Sequence, residues 1–76
     1  MLVQPIHLPK TLGEVVRNER LKLKLSQEEL AFEAGISLTY MGEIERGEKM
    51  VSLETIVRVA HGLRLTGADL LKRAGL

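Results

Sequence analysis

Apolar residues recur at helical spacing through most of this chain, and hydroxyl residues and glycines fall at the breaks between the runs. From Thr11, a good N-cap, Leu12, Val16 and Leu23 lie near one face with Val15 and Arg20 beside it, which predicts a first helix running to about Lys24. Ser26-Gln27-Glu28-Glu29 then fits a capping box, the serine hydroxyl serving the N3 amide and Glu29 reaching back to the Ser26 amide. A second helix follows with Leu30, Ala31 and Ala34 inward, and Gly35 supplies the left-handed residue that ends it. Only Ile36 separates Gly35 from the next cap, Ser37. The third helix reaches about Arg46 with Met41 and Ile44 inward and stops at Gly47.

Glu48–Val51 reads as a loop, and Ser52 caps a fourth helix carrying Leu53, Ile56, Val59, Ala60 and Leu63. Thr66-Gly67-Ala68-Asp69 is a second capping box, opening a short fifth helix with Leu70 and Leu71 and with Lys72 and Arg73 near its C-terminus, where cations suit the dipole. Both prolines, Pro5 and Pro9, fall in residues 1–10, which show no period and read as an extended, partly disordered arm ahead of a single domain at 11–76. The pattern predicts an all-α chain of five short helices.

Composition sharpens this. A 76-residue domain buries only about 60% of its unfolded surface, so association would help it. Phe32 and Tyr40 are the only aromatics, leaving aliphatic side chains to fill the core, which suits helices better than a β-sandwich. There is no cysteine, hence no disulfide and no thiolate metal site, as fits a reducing cytoplasm. No apolar run approaches the roughly 18 residues of a membrane span. The N-terminus lacks the basic stretch and long apolar core of a signal peptide.

Net charge is only +1, but it is unevenly spread: residues 1–25 carry +3, residues 26–47 carry −4 and residues 48–76 carry +2. An unselective nucleic-acid binder would be more basic, because phosphate neutralisation supplies most of that affinity. His7 and His61 stand apart from any carboxylate at ligand spacing, and no nucleophile–base pairing or phosphate-cradling glycine loop is readable. Neither a metal, a cofactor nor an enzymatic activity is expected.

The informative stretch is Ser26–Gly47. Two short helices with so short a linker cannot pack antiparallel; they cross steeply, which suits one to span a phosphate backbone while the next lies in the major groove. The motifs Ser26-Gln27-Glu28-Glu29-Leu30-Ala31, Ala34-Gly35-Ile36-Ser37 and Tyr40 to Gly47, with its Ile-Glu-Arg-Gly ending, resemble the Cro/CI-like (Xre-like) helix-turn-helix family. Ser52-Leu53-Glu54-Thr55-Ile56 and Val59-Ala60 extend the likeness over roughly residues 12–71. Within the family, Leu30-Ala31-Phe32 with Thr39-Tyr40-Met41-Gly42-Glu43-Ile44-Glu45-Arg46-Gly47 looks most like the restriction-modification controller proteins.

The resemblance implies a compact, lambda-repressor-like domain that binds double-stranded operator DNA and regulates transcription. It implies base-facing roles for Ser37, Leu38, Thr39, Gly42 and Glu43, and phosphate-facing roles for Gln27, Tyr40, Arg46 and Lys49. It also implies a structural ion pair between Arg20 and Glu45. Thr39 and Leu38 offer methyls to thymine, and Glu43 can accept from a cytosine amino group. Neither Gln nor Arg stands at a base-facing position, so DNA shape and deformability take a larger share of the readout. Tyr40 has two readings, a phosphate contact through its hydroxyl or packing beside the third helix. Phe32 belongs to the outer side of the second helix, covering the core edge or meeting a partner.

The leucines Leu63, Leu65, Leu70, Leu71 and Leu76 exceed what one small core readily absorbs, so an exposed patch and a homodimer are expected, with two recognition helices roughly 34 Å apart. RNA polymerase is a further candidate partner. The rival reading is a protein-interaction module or antitoxin that turns its acidic third helix on a partner protein; base-specific binding with steep salt dependence separates the two.

Overall fold

Each of the last four helices starts from a hydroxyl. In the computed structural model, which describes residues 8–75, helices span Leu8–Lys22 (α1), Gln27–Ala34 (α2), Leu38–Glu45 (α3), Leu53–Gly62 (α4) and Gly67–Arg73 (α5). The side chains of Ser26, Ser37, Ser52 and Thr66 accept the N3 amides of Glu29, Tyr40, Thr55 and Asp69 at 2.9, 3.0, 3.1 and 3.0 Å. Glu29 and Asp69 close the reciprocal bonds, accepting the Ser26 and Thr66 amides. Those amides hold both carboxyls below the ordinary carboxylate range.

The start of α1 differs from the sequence expectation. The helix begins at Leu8, so residues 8–10 are helical and Thr11 lies inside rather than at the cap. Pro9 explains the extension: in the first turn its missing N–H would have had no partner in the helix, and its fixed φ is already helical. The rest of the expected arm, residues 1–7, lies outside the described residues.

Two helix ends carry no glycine. Lys24 and Arg64 adopt φ of 58° and 62°, the left-handed conformation used by Gly35 and Gly47 at the ends of α2 and α3. In each case a leucine amide reaches back across the turn, Leu25 to the Arg20 carbonyl at 3.2 Å and Leu65 to the Ala60 carbonyl at 2.8 Å. Leu-Lys-Leu-Ser and Leu-Arg-Leu-Thr thus build the same stop-and-restart turn twice, its outer leucines packed against or within the core.

Leu12 and Val16 of α1, Leu30, Ala31 and Ala34 of α2, Met41 and Ile44 of α3, Ile56, Val59 and Ala60 of α4, and Leu63 just after it close one core with Leu70 and Ala74. α4 runs against α2, and Gly62 makes that approach possible: a Cβ there would stand 2.8 Å from the Leu30 methyl and 3.4 Å from the Ala34 nitrogen. α5 lies across α4 and α1.

Leu53 is 70% exposed, because it sits one position after the cap, ahead of the buried stretch that opens at Ile56. One expectation fails here. The C-terminal leucines form no exposed patch among the described residues: Leu63 and Leu70 are buried, and Leu65 and Leu71 are half-buried against the core. A core without phenylalanine or tryptophan consumes them, and α5 folds them under. Leu76 is outside the described residues. The exposed apolar side chains are instead Met50 in the loop before α4, Leu53 and Val57 on one side of α4, and Leu21, Leu38 and Phe32 elsewhere; Phe32 is 82% exposed. No described helix is long and apolar enough to cross a membrane.

Candidate nucleic-acid interface

α2 and α3 are joined by three residues. Gly35 in the left-handed region turns the chain, the Ile36 amide returns to the Ala31 carbonyl at 3.0 Å, and Ser37 at once begins α3. Ile36 is half-buried against the core, which fixes the crossing from within.

The trailing end of α3 is held by α1 at two places a little under two turns apart. Gly13 lies directly against the last carbonyls of α3: a Cβ there would collide with the Ile44 oxygen and stand 2.8 Å from the Glu45 oxygen. Further along α1, the Arg20 guanidinium takes both oxygens of Glu45, Nε to Oε2 at 2.7 Å and Nη2 to Oε1 at 2.9 Å. Its Nη1 donates to the Leu25 carbonyl at 2.8 Å, tying the α1–α2 turn to the same centre. Arg20 and Glu45 are both buried, and the bond to Glu45 holds the guanidinium pKa above its ordinary value. Ion pair and close approach together leave α3 no freedom at this end.

Its leading end rests on the core through Met41 and is uncovered on the outer side. Ser37, Leu38 and Thr39 are exposed, and Glu43, one turn beyond Thr39 on the same side, is half-exposed. Thr39 and Glu43 therefore form an outward strip, with Ser37 and Leu38 exposed beside it on the first turn, at the positive end of the helix dipole. Gly42, expected among them, is buried. The side chain one turn on covers it: a Cβ at Gly42 would stand 2.9 Å from Arg46 Nη1. Helical side chains lean toward the N-terminus, so an arginine four residues after a glycine folds back over the bare backbone. The Arg46 guanidinium thus lies over the buried Gly42, a placement that the Gly-x-x-x-Arg spacing signals.

The residues expected to face phosphate are dispersed in their bonding. Gln27 is half-buried, and its Nε2 donates to Glu45 Oε1 at 3.0 Å, joining the first turn of α2 to the buried pair. Tyr40 is half-buried, its side chain packed against the core. Arg46 forks onto Glu48, Nε to Oε2 at 3.0 Å and Nη2 to Oε1 at 3.1 Å, which raises the guanidinium pKa and lowers that of the carboxyl. Lys49 Nζ stands 3.8 Å from Glu43 Oε2. The pairings of Gln27, Arg46 and Lys49 involve side-chain conformations that no linear pattern encodes.

Among the described residues no group of His, Asp or Glu could hold a metal ion, and no buried side-chain polar atom lacks a hydrogen-bond partner.

Comparison with known proteins agrees with this geometry. A helix-turn-helix family model matches residues 16–70. The control protein C.BamHI of Bacillus amyloliquefaciens is 45% identical over 60 residues, which cover 78% of this chain and 74% of that protein. The control protein C.SmaI of Serratia marcescens is 41% identical over 69 residues, 91% of this chain and 82% of that one. Among solved structures, the restriction-modification controller protein C.AhdI from Aeromonas hydrophila matches with a TM-score of 0.78 at 37% identity, covering 82% of this chain and 94% of its own. Five helices arranged around an exposed two-helix unit, together with these likenesses along most of the sequence, place the chain in the Xre-like helix-turn-helix family of DNA-binding transcriptional regulators.

Proposed function

We propose that the chain controls transcription as a homodimer that inserts the leading end of α3 into the operator major groove. The observation that carries this reading is the exposure of Ser37, Leu38, Thr39 and Glu43 toward the leading end of a helix whose other end is held by α1. A rigidly held helix with exposed first-turn side chains meets the geometric demand of base reading. Thr39 and Leu38 are suited to thymine methyls, Ser37 to a base or phosphate acceptor and Glu43 to a cytosine amino group. Gln27 keeps one amide hydrogen beyond the bond to Glu45 and is assigned to a phosphate; Tyr40, through its hydroxyl, and Lys49 are assigned to the flanking backbone.

The homodimer draws support from the exposed apolar side chains Met50, in the loop that follows α3, and Leu53 and Val57 on α4. Contact with RNA polymerase would fall to exposed residues outside the strip, of which Phe32, flanked by Glu28 and Glu33 on α2, is the largest. No catalytic step is assigned to the chain. A DNA target implies the compartment of the chromosome, the cytoplasm in a bacterium.

Selection from randomised duplexes tests the reading. An enriched inverted repeat, bound with steep salt dependence, is expected. Thr39 and Glu43 substitutions should change which repeat variants are tolerated while melting stays near normal. A pool that yields no enriched site would overturn operator binding, and a monomer by sedimentation with intact binding would overturn the dimer.

A further inference from the structure

We propose that Glu48 is a specificity-determining residue: it grips the Arg46 guanidinium, holds it over Gly42 on the base-facing side of α3, and keeps it from serving as an unselective phosphate ligand. The inference rests on the operator reading above.

Arg46 has five N–H donors in a rigid plane. Its Nε and Nη2 edge is filled by both oxygens of Glu48, at 3.0 and 3.1 Å, and Nη1 lies over Gly42, whose lack of a side chain leaves the space. The second edge of the guanidinium, between Nη1 and Nη2, still carries free hydrogens. A guanidinium needs one edge to pair with guanine O6 and N7, and that is the strongest direct reading a side chain makes in the major groove. A phosphate approaching the exposed Glu48, by contrast, meets a negative charge and must displace it to reach the occupied edge. The same economy governs Lys49, whose nearest carboxylate, Glu43, is half-exposed on the strip itself.

Both cations that follow α3 are therefore partnered within the protein, in a stretch where Glu43, Glu45 and Glu48 outnumber Arg46 and Lys49. Contacts to phosphate supply most of the affinity for any sequence, whereas base contacts discriminate. A carboxylate that taxes the first and orients the second widens the gap between operator and random DNA. Both partners of the Arg46–Glu48 pair are about half-exposed, so its effect is modest, at most about fivefold in an equilibrium.

The test compares Glu48→Gln with the parent protein on two duplexes, the operator selected above and a scrambled version of equal length. The variant should bind the scrambled duplex three- to fivefold more tightly, in line with the strength of an exposed pair, and the operator no more tightly than before. Its salt dependence on the scrambled duplex should steepen by about 0.9 in logarithmic slope, the signature of one more phosphate neutralised. In an Arg46→Ala background the same change should have no effect, because the carboxylate acts through the arginine. Equal gains on both duplexes, or a gain that survives Arg46→Ala, would mean that Glu48 acts only as a charge in the general field, and would overturn the inference while leaving operator binding intact. Failure to select any operator sinks the parent reading and this one with it. Glu48 is exposed and follows the end of α3, so melting should be unchanged, and Glu48→Ala should repeat the result.

Discussion

Replacing Arg20 by alanine is the most severe single test of how α3 is held. The substitution removes two bonds to Glu45 and one to the Leu25 carbonyl, and leaves Gln27 Nε2 as the remaining side-chain donor to a carboxylate whose side chain is 2% exposed. Breaking a buried pair from one side costs about 3–5 kcal/mol, because the surviving charge keeps its desolvation penalty without its partner. At about 0.05–0.15 kcal/mol per residue, a chain of this length has roughly 4–11 kcal/mol in all, so the variant should lie between badly weakened and unfolded. Arg20→Met combined with Glu45→Leu should recover most of the loss, since an apolar pair of similar volume avoids both desolvation penalties. Urea titrations followed by far-UV circular dichroism provide the measurement, with an unchanged slope showing that the same cooperative unit unfolds. A loss below about 1 kcal/mol for Arg20→Ala would put the pair in the class of solvent-screened surface contacts and refute the reasoning.

Three further outcomes are expected. Gly13→Ala, which in an open helix would gain about 1 kcal/mol, should instead cost about 1–3 kcal/mol in thermal melts, because its methyl meets backbone carbonyls of α3 that have nowhere to go. Lys24→Gly should raise stability by about 0.5–1 kcal/mol, relieving a side chain from φ 58° against the extra freedom glycine gains when unfolded; no rise in melting temperature would show that the turn carries no strain. Glu19 is held below the ordinary carboxylate value of 4.5 by the Lys22 hydrogen bond, and also by the Arg73 charge, which together outweigh its burial. Its contribution is full at neutral pH and is lost as pH falls below that value through the lower folded pKa. The stability difference between the parent and Glu19→Gln should therefore shrink in acid, and a difference independent of pH would refute the assignment.

The sequence announced those elements whose signals are local. A hydroxyl that serves its own N3 amide and a glycine that stops a helix act within a few residues, so Ser26, Gly35, Ser37, Ser52 and Thr66 were readable from their neighbours. The turns at Lys24 and Arg64 were not marked, since a long cation stands where glycine would have flagged the left-handed residue. Pro9 misled for the opposite reason: it reads as a breaker and serves as a helix start. Burial of Leu63 and Leu70 depends on how α5 lies over α4 and α1, which periodicity does not state. The outward strip was legible as a strip, whereas the engagement of Gln27 with Glu45 and of Arg46 with Glu48 is set by rotamers in three dimensions.

α1 holds the last turn of α3 while its first turn rests on α2 through Ile36 and Met41, so the two helices tilt together as a lever about the α1 contact. About 9 Å of helix lies ahead of the anchorage at Ile44, so a tilt of about 5° set by Gly13 or Arg20 swings the tip by about 0.8 Å. That is a large fraction of the distance over which a hydrogen bond forms or fails. Target preference can therefore be retuned from the far side of the molecule, by reshaping the fulcrum in α1, with every groove-facing side chain left as it is.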